Sequence, residues 1–352
     1  MIPVADGVDE LTPEWVSTAL GRTVRTVAAE QIGTGQMGES WRLTLGYDGE
    51  PGPSTVVAKL AAGDPDARGQ VSVGFAKEVG FYTDLADGLD LRIPHCWYGA
   101  ISEDSTSFTL LLEDLAPSTP GVQVDGCTVE QAAGAVRNLA ALHASSWCDP
   151  SLADHGFLAP IGGEVAELFA AAFTTAVDQF VDRYAPPLDE DDVATLRAAS
   201  AVMGDWLVDR PEPFAVVHGD YRLDNLMFPP EGDEVAALDW QSVSVGPPTR
   251  DLAYFLGNSL HPDDRRAHED DLVAVYHREL VGRGVDGYDL DRCAEDYRAG
   301  HLQGPLITVL GAIYATAERS EAADAMFLAM ATRSCAAIRE LGTLALVSPR
   351  EA

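Results

Sequence analysis

Residues 214–251 read FAVVHGDYRLDNLMFPPEGDEVAALDWQSVSVGPPTRD. Two short β-type runs, Phe214–Val217 and Val235–Leu238, each lead directly into a carboxylate-bearing segment. The first delivers His218-Gly219-Asp220, with Asn225 five residues after the aspartate, and the second delivers Asp239. A strand end is a rigid place from which to present a polar group, and the loop that begins there can face a ligand. Aspartate and asparagine are hard oxygen donors, suited to magnesium that keeps water and phosphate in its shell. An aspartate left free of metal can act as a base toward a hydroxyl. Either piece alone reads equally well as an ordinary turn, because Asp, Asn and Gly are turn residues. The order and separation of the pieces narrow the reading.

The composition sets limits around that stretch. The chain has 352 residues, 46% hydrophobic and 22% charged, long enough for a substantial core in two lobes. Its net charge is −33, from 56 acidic and 23 basic residues. Such a surface repels nucleic-acid phosphates and anionic lipids, so neither nucleic acid nor a membrane is expected as a partner. It favours a cationic small molecule, although a diffuse acidic surface also serves solubility. Cys96, Cys127, Cys148, Cys293 and Cys335 are scattered and form no C-x-x-C pair. Reduced thiols are therefore expected in place of disulfides or a zinc site. The acidic start MIPVADGVDEL has no secretory pattern, and Pro305–Ala317, the longest apolar run, is too short to span a bilayer. The expectation is a cytoplasmic monomer or homodimer.

Upstream, Asp9–Trp15 reads as a cap and a short helix ending near Gly21, and Val24–Ile32 as a strand. Gly33-Thr34-Gly35-Gln36-Met37-Gly38 then matches G-x-G-x-x-G. A dinucleotide fingerprint opens a helix at this point, whereas Ser40–Leu45 alternates as a strand does. A P-loop needs lysine after the last glycine, and the chain has Glu39. Strand, glycine loop, strand is the arrangement of the kinase flap over nucleotide phosphates, with Gly33, Gly35 and Gly38 as its candidates. Val56–Leu60 is a strand carrying Lys59, an ammonium that needs an anion if buried. Phe75–Tyr82 has helical spacing and offers Glu78 as that partner, with the pair meeting the nucleotide phosphates. Arg92–Ala100 and Phe108–Leu112 read as further strands. The second runs into Glu113-Asp114-Leu115, a hinge where the backbone of Glu113 and Leu115 would meet the nucleotide base.

From Thr128 the chain turns helical, with helices expected at Val129–Ser146, Gly163–Tyr184, Asp189–Asp209, Asp251–Leu260, Asp264–Val281, Asp289–Tyr314 and Glu321–Leu346. His143 reads as a core histidine. The fold class is α+β, with a small β-rich N-terminal lobe over 1–116 and a larger, mainly helical lobe over 117–352. In the second lobe Glu164, Glu167, Asp178 and Asp182 are candidates for gripping a polyamine. Phe169, Phe173, Phe180 and Tyr184 are candidates for lining an apolar acceptor pocket. Both sets also fit an ordinary amphipathic helix.

Taken together, the glycine loop, Lys59, Glu78, HGDYRLDNLMF, LDWQ and RDLAYFLGNSL resemble the aminoglycoside phosphotransferase and choline kinase group. Within this small-molecule branch of the protein-kinase-like fold, the resemblance is strongest to the ecdysteroid kinase-like relatives. The interval from Asp220 to Asn225 is that of the kinase catalytic loop, H-R-D-L-x-x-x-N. The resemblance implies an ATP- and magnesium-dependent transfer to a hydroxyl of a small molecule, with GTP also compatible as donor. It implies Asp220 as the base, Asn225 and Asp239 as magnesium ligands, and Lys59, held by Glu78, on the phosphates. His218 and Asp251 are implied as scaffold of the catalytic loop. Gly219 stands where protein kinases carry arginine, and Trp240-Gln241 replace Phe-Gly. Both departures are shared by the small-molecule branch and argue against a phosphorylation-switched protein kinase. A nucleotide-binding regulator on the same fold is the other alternative.

Overall fold

Leu43 and Leu45 point inward from the alternating run at 40–45, and that alternation builds the first sheet. The computed structural model describes residues 4–33, 38–64, 68–185, 187–314 and 320–347. Strands β1 (Val24–Ile32), β2 (Gly38–Tyr47), β3 (Thr55–Ala61), β4 (Cys96–Ile101) and β5 (Phe108–Glu113) form one antiparallel sheet in the order β1-β2-β3-β5-β4. Helix α1 (Pro13–Leu20), capped by the Thr12 hydroxyl, packs Val16 into a core with Val24, Leu43, Val56, Ala58, Leu60 and Leu111. Helix α2 (Ser72–Gly80) follows β3. This unit comprises residues 1–88, 93–117 and 238–243. Strand β4 begins at Cys96, later than the alternation from Arg92 suggests. Pro94 has no N–H for the ladder and constrains the residue before it.

The second unit comprises residues 89–92, 118–237 and 244–352 and is mainly helical, so the α+β class read from the sequence holds. Its helices are α3 (Val129–Ser145), α4 (Gly163–Tyr184), α5 (Glu190–Val208), α6 (Thr249–Ser259), α7 (Pro262–Gly282), α8 (Leu290–Ala299), α9 (Gln303–Tyr314) and α10 (Glu321–Leu341). Sequence caps mark several starts. Thr128 and Gln131 form a capping box on α3, and Asp189 and Asp289 cap α5 and α8. Phe173 and Phe180 of α4 pack with Leu196 and Met203 of α5, Leu306 and Val309 of α9, and Ile338 of α10. Short strands β6 (Thr119–Pro120), β8 (Leu226–Phe228) and β9 (Ala236–Ala237) pair in the order β6-β8-β9, and β7 (Ala215–Val217) pairs with β10 (Ser244–Gly246). Among the described residues no helix is long and apolar enough to cross a membrane.

Two helices differ from the sequence reading. The span 289–314 is two helices joined by a 3-10 turn at Gly300–Leu302. A Cβ at Gly300 would lie 2.8 Å from the Thr249 carbonyl oxygen and 2.9 Å from the Ala253 Cβ, so the break occurs where α6 presses closest. The last helix stops at Leu341, where Gly342 takes φ +67° as a left-handed C-terminal cap.

His301, in that 3-10 turn, is buried with its ring centroid 4.7 Å from Tyr297. Burial, reinforced by the positive charge of Arg265, pushes its pKa down to about 3. The unfolded chain therefore takes this proton first. The stabilisation is complete above about pH 6.5 and is lost as the pH falls from there toward the folded value. Unfolding measured at pH 7 and pH 5 should show His301→Gln losing about 2 kcal/mol less than the parent over that interval. Equal losses would exclude His301 as an acid-labile point.

Candidate active site

In the first unit the site begins at β3, flanked by β2 and β5, where Lys59 lies opposite Ser40 and Leu110. Its Nζ donates to Glu78 Oε1 at 2.7 Å and to Asp239 Oδ1 at 3.2 Å. Glu78 reaches it because it lies on the inward face of α2, with Phe75 and Val79 buried beside it. Burial works against the Lys59 ammonium, but Asp239 and Glu78 outweigh it and hold its pKa above the ordinary lysine value. Burial raises the Glu78 carboxyl, with Lys59 opposing and Asp239 adding to the rise. One ammonium thus serves two carboxylates. Gly38 opens β2 beside the lysine, and a Cβ there would come within 3.1 Å of Lys59 Cε. A glycine at 38 therefore leaves room for the lysine stem.

Asp239 has φ +63°, a left-handed conformation that is uncommon for a residue with a Cβ and that aspartate tolerates better than most. Its neighbours anchor the turn. Trp240 stacks on Phe81 at a centroid distance of 3.7 Å and an interplanar angle of 7°, and Gln241 donates to Glu78 Oε2 at 3.2 Å. The strand expected over Val235–Leu238 is reduced to Ala236–Ala237, because the chain leaves the ladder to make this turn. Gly33 follows β1 with φ +71°, and β1 and β2 pair antiparallel, so the glycine segment joins two strands as expected. Gly35 lies outside the described residues. Glu113 closes β5, with its N–H donating to the His95 carbonyl at 2.8 Å, and Leu115 is half-buried after it. Between them Asp114 takes a two-pronged bond from Arg42 of β2 at 2.7 and 3.2 Å, which fixes the end of β5.

In the second unit Asp220 leaves β7 within a loop held from behind. The N–H groups of His218 and Gly219 donate to the two carboxylate oxygens of Asp251 at 2.6 and 3.0 Å. Gly219 has φ +82°, so glycine suits this position in place of the arginine of protein kinases. His143 closes the back of the loop as a core residue, with Nε2 3.6 Å from Asp251 and Nδ1 2.7 Å from the Tyr276 hydroxyl. Burial lowers its pKa, with Asp251 opposing.

Asp220 itself is held by three side chains. Tyr254 donates to Oδ1 at 2.7 Å, Arg222 Nε to Oδ2 at 3.2 Å, and Asn225 Nδ2 to Oδ2 at 3.1 Å. Asn225 Nδ2 also bonds the Asp220 carbonyl, so among the described residues its side-chain bonds use the amide nitrogen and not Oδ1. Burial works against the Arg222 charge, but Asp220 and its neighbours raise its pKa. Gln303 Nε2 bonds the Gly219 carbonyl at 3.0 Å.

The structure thus gathers Lys59, Glu78 and Asp239 in one unit, and Asp220 and Asn225 in the other. Sequence reasoning missed Arg222, Tyr254, Gln303 and Gln241. Tyr254 lies among the apolar residues of DLAYFL and reads as core. Arg222 carried the one usable signal, two residues after Asp220 in an extended loop. Glu164, Glu167, Asp178 and Asp182 are all exposed on α4, whereas Phe173, Phe180 and Tyr184 are buried in its core. The amphipathic-helix reading therefore accounts for these three aromatics.

Comparison with known proteins bears on the fold. A chain from Ralstonia eutropha described as an aminoglycoside phosphotransferase superposes with TM-score 0.52 at 22% identity, covering 93% of this chain and 97% of that one. Choline kinase from Cryptosporidium parvum gives TM-score 0.55 at 11% identity, covering 96% and 95%. The GDP and kanamycin complex of the aminoglycoside phosphotransferase APH(2")-IIia gives 0.51 at 12%, covering 84% and 90%. The mouse protein acyl-CoA dehydrogenase family member 10 is 49% identical over 53 residues, 14% of this chain and 5% of its own length. This chain therefore matches only a small part of that curated relative. The fold is kinase-like, and the ecdysteroid kinase-like family model matches residues 37–283. The chain belongs to the ecdysteroid kinase-like family, a small-molecule kinase-like group.

Proposed function

We propose that this protein transfers the terminal phosphoryl group of ATP, or of GTP, to a hydroxyl of a small-molecule alcohol. The observation that carries the reading is the Lys59 ammonium, set on a central strand between Glu78 at 2.7 Å and Asp239 at 3.2 Å. A lysine held in this way presents a fixed positive charge to a phosphate chain. Asp220 accepts the proton of the acceptor hydroxyl. The hydroxyl oxygen then forms the bond to the γ-phosphorus as the bond to the β-phosphate oxygen breaks, and the nucleoside diphosphate departs. Tyr254, Arg222 and Asn225 orient the Asp220 carboxylate, and little covalent work is left to the protein.

Asp239 and Asn225 are the proposed magnesium ligands. Their donors are hard oxygens, and Asp239 keeps a partly exposed carboxylate on a turn that presents it. Among the described residues no three His, Cys, Asp or Glu side chains gather into a metal cage. Magnesium held by few protein ligands and by phosphate oxygens needs no such cage. When bound it would neutralise charge on the phosphates. Glu113 and Leu115 remain the proposed backbone edge for the base, and Gly33, Gly35 and Gly38 the proposed flap.

The acceptor is proposed to be an alcohol of the aminoglycoside, choline or ecdysteroid type. Nucleotide consumption should be screened with magnesium over aminoglycosides, macrolides, choline-like amines, sterols and hydroxyacyl compounds, acyl thioesters included. Turnover with one class, with phosphate found on its hydroxyl, is the expected result. Nucleotide binding without transfer to any of them would favour the regulatory alternative, and absence of nucleotide binding would remove both.

A further inference from the structure

We infer that Gln241 is a positioning residue for the Lys59–Glu78 pair, its side-chain amide fixing the Glu78 carboxylate so that Oε1 faces the lysine. The inference rests on the proposed function in one respect only, that the pair serves a nucleotide.

The two oxygens of Glu78 are divided between two donors. Oε1 takes Lys59 at 2.7 Å and Oε2 takes Gln241 Nε2 at 3.2 Å. Glu78 is 1% exposed and Gln241 7%, so water cannot readily replace the amide. The amide is itself well anchored. Trp240 before it is stacked on Phe81, and the Gln241 Cβ lies against Gly74 of α2, 3.5 Å from where a Cβ on that glycine would stand.

The side-chain chemistry suits this one task. A lysine or arginine at 241 would compete with Lys59 for the carboxylate. A glutamate would repel it, and an apolar residue would leave Oε2 buried and unmatched. A carboxamide donates without adding charge. Its other end, Oε1, is buried and accepts no hydrogen bond among the described residues. A residue chosen for stability alone would not leave that oxygen unmatched, which points to the donor end as the reason for the residue. If Asp239 turns to a metal, Lys59 depends on Glu78, and Gln241 keeps that partner in place.

The test compares the parent chain with Gln241→Met, of similar length but without a donor, and with Gln241→Glu. The chain contains two lysines, Lys59 and Lys77, so an amine-reactive reagent read by mass spectrometry reports Lys59 against an internal reference. Gln241→Met should raise the ratio of Lys59 to Lys77 labelling in the nucleotide-free protein. It should raise the nucleotide KM by about tenfold or more, and change the acceptor KM by less than about twofold. Gln241→Glu should do both more strongly. Parental labelling ratios and parental nucleotide KM in both variants would overturn the inference. So would a uniform fall in all kinetic constants together with the melting temperature, since that marks a purely structural role. The labelling ratio needs no turnover. A shifted ratio in a protein that transfers no phosphate would keep Gln241 in its role and remove the kinase reading instead.

Discussion

Asp220→Ala is expected to lower kcat by about 10²–10⁴-fold while nucleotide affinity stays within a few-fold of the parent. The size follows from removing a proton acceptor from the transition state and leaving ground-state contacts to the phosphates untouched. Three side chains converge on this one carboxylate: Tyr254 at 2.7 Å, Asn225 at 3.1 Å and Arg222 at 3.2 Å. A carboxylate needed only to satisfy Arg222 would not call for a second donor on Oδ2 and a further one on Oδ1. Asp220→Asn provides the sharper comparison, since it keeps the shape and loses the base. Steady-state kinetics and nucleotide titration on both variants are the measurement. An intact kcat in either one would remove Asp220 from the chemistry.

Lys59→Met is expected to lower kcat/KM for the nucleotide by about 10²–10³-fold, the scale set by other preorganised charge-stabilising groups. It should also destabilise the fold. Glu78 is 1% exposed, and without the ammonium it becomes a buried carboxylate with Gln241 as its remaining side-chain donor among the described residues. Breaking one side of a buried pair costs about 3–5 kcal/mol. The two effects separate in the double variant Lys59→Met with Glu78→Gln. Removing the stranded charge should restore much of the melting temperature and none of the activity. If the double variant recovers both, Lys59 is structural. If Lys59→Met alone remains active, the phosphate-binding role is wrong.

The strands and helices were legible because periodic burial leaves a local trace. The alternation at 40–45 gives β2, the run at 56–60 gives β3, and the caps at Thr128, Asp189 and Asp289 mark helix starts. Two elements were misread where the folded chain overrides the local period, whereas the late start of β4 after Pro94 and the stop of α10 at Gly342 are local signals. The helix over 289–314 breaks because Gly300 meets α6, and the strand before Asp239 is cut short by a left-handed turn. Neither event alters local hydrophobic spacing. The site residues that escaped notice share that cause, since Tyr254 sits in an apolar helix and Gln241 follows a motif aspartate with no pattern of its own.

The sequence by itself determined the chemistry on offer: a strand lysine, a helix glutamate, an aspartate with an asparagine five residues on, and a second aspartate after a short strand. Residue identity and local period suffice for that much. Only the tertiary structure decided the pairings. Lys59 divides itself between Glu78 and an aspartate 180 positions away, and Asp251 ties the loop of His218 and Gly219 from 33 and 32 positions further along the chain. Such contacts are set by the path of the folded chain through space. Electrostatic and hydrogen-bond energies fall off within a few ångströms whatever the separation along the chain, so they leave no periodic trace in the sequence.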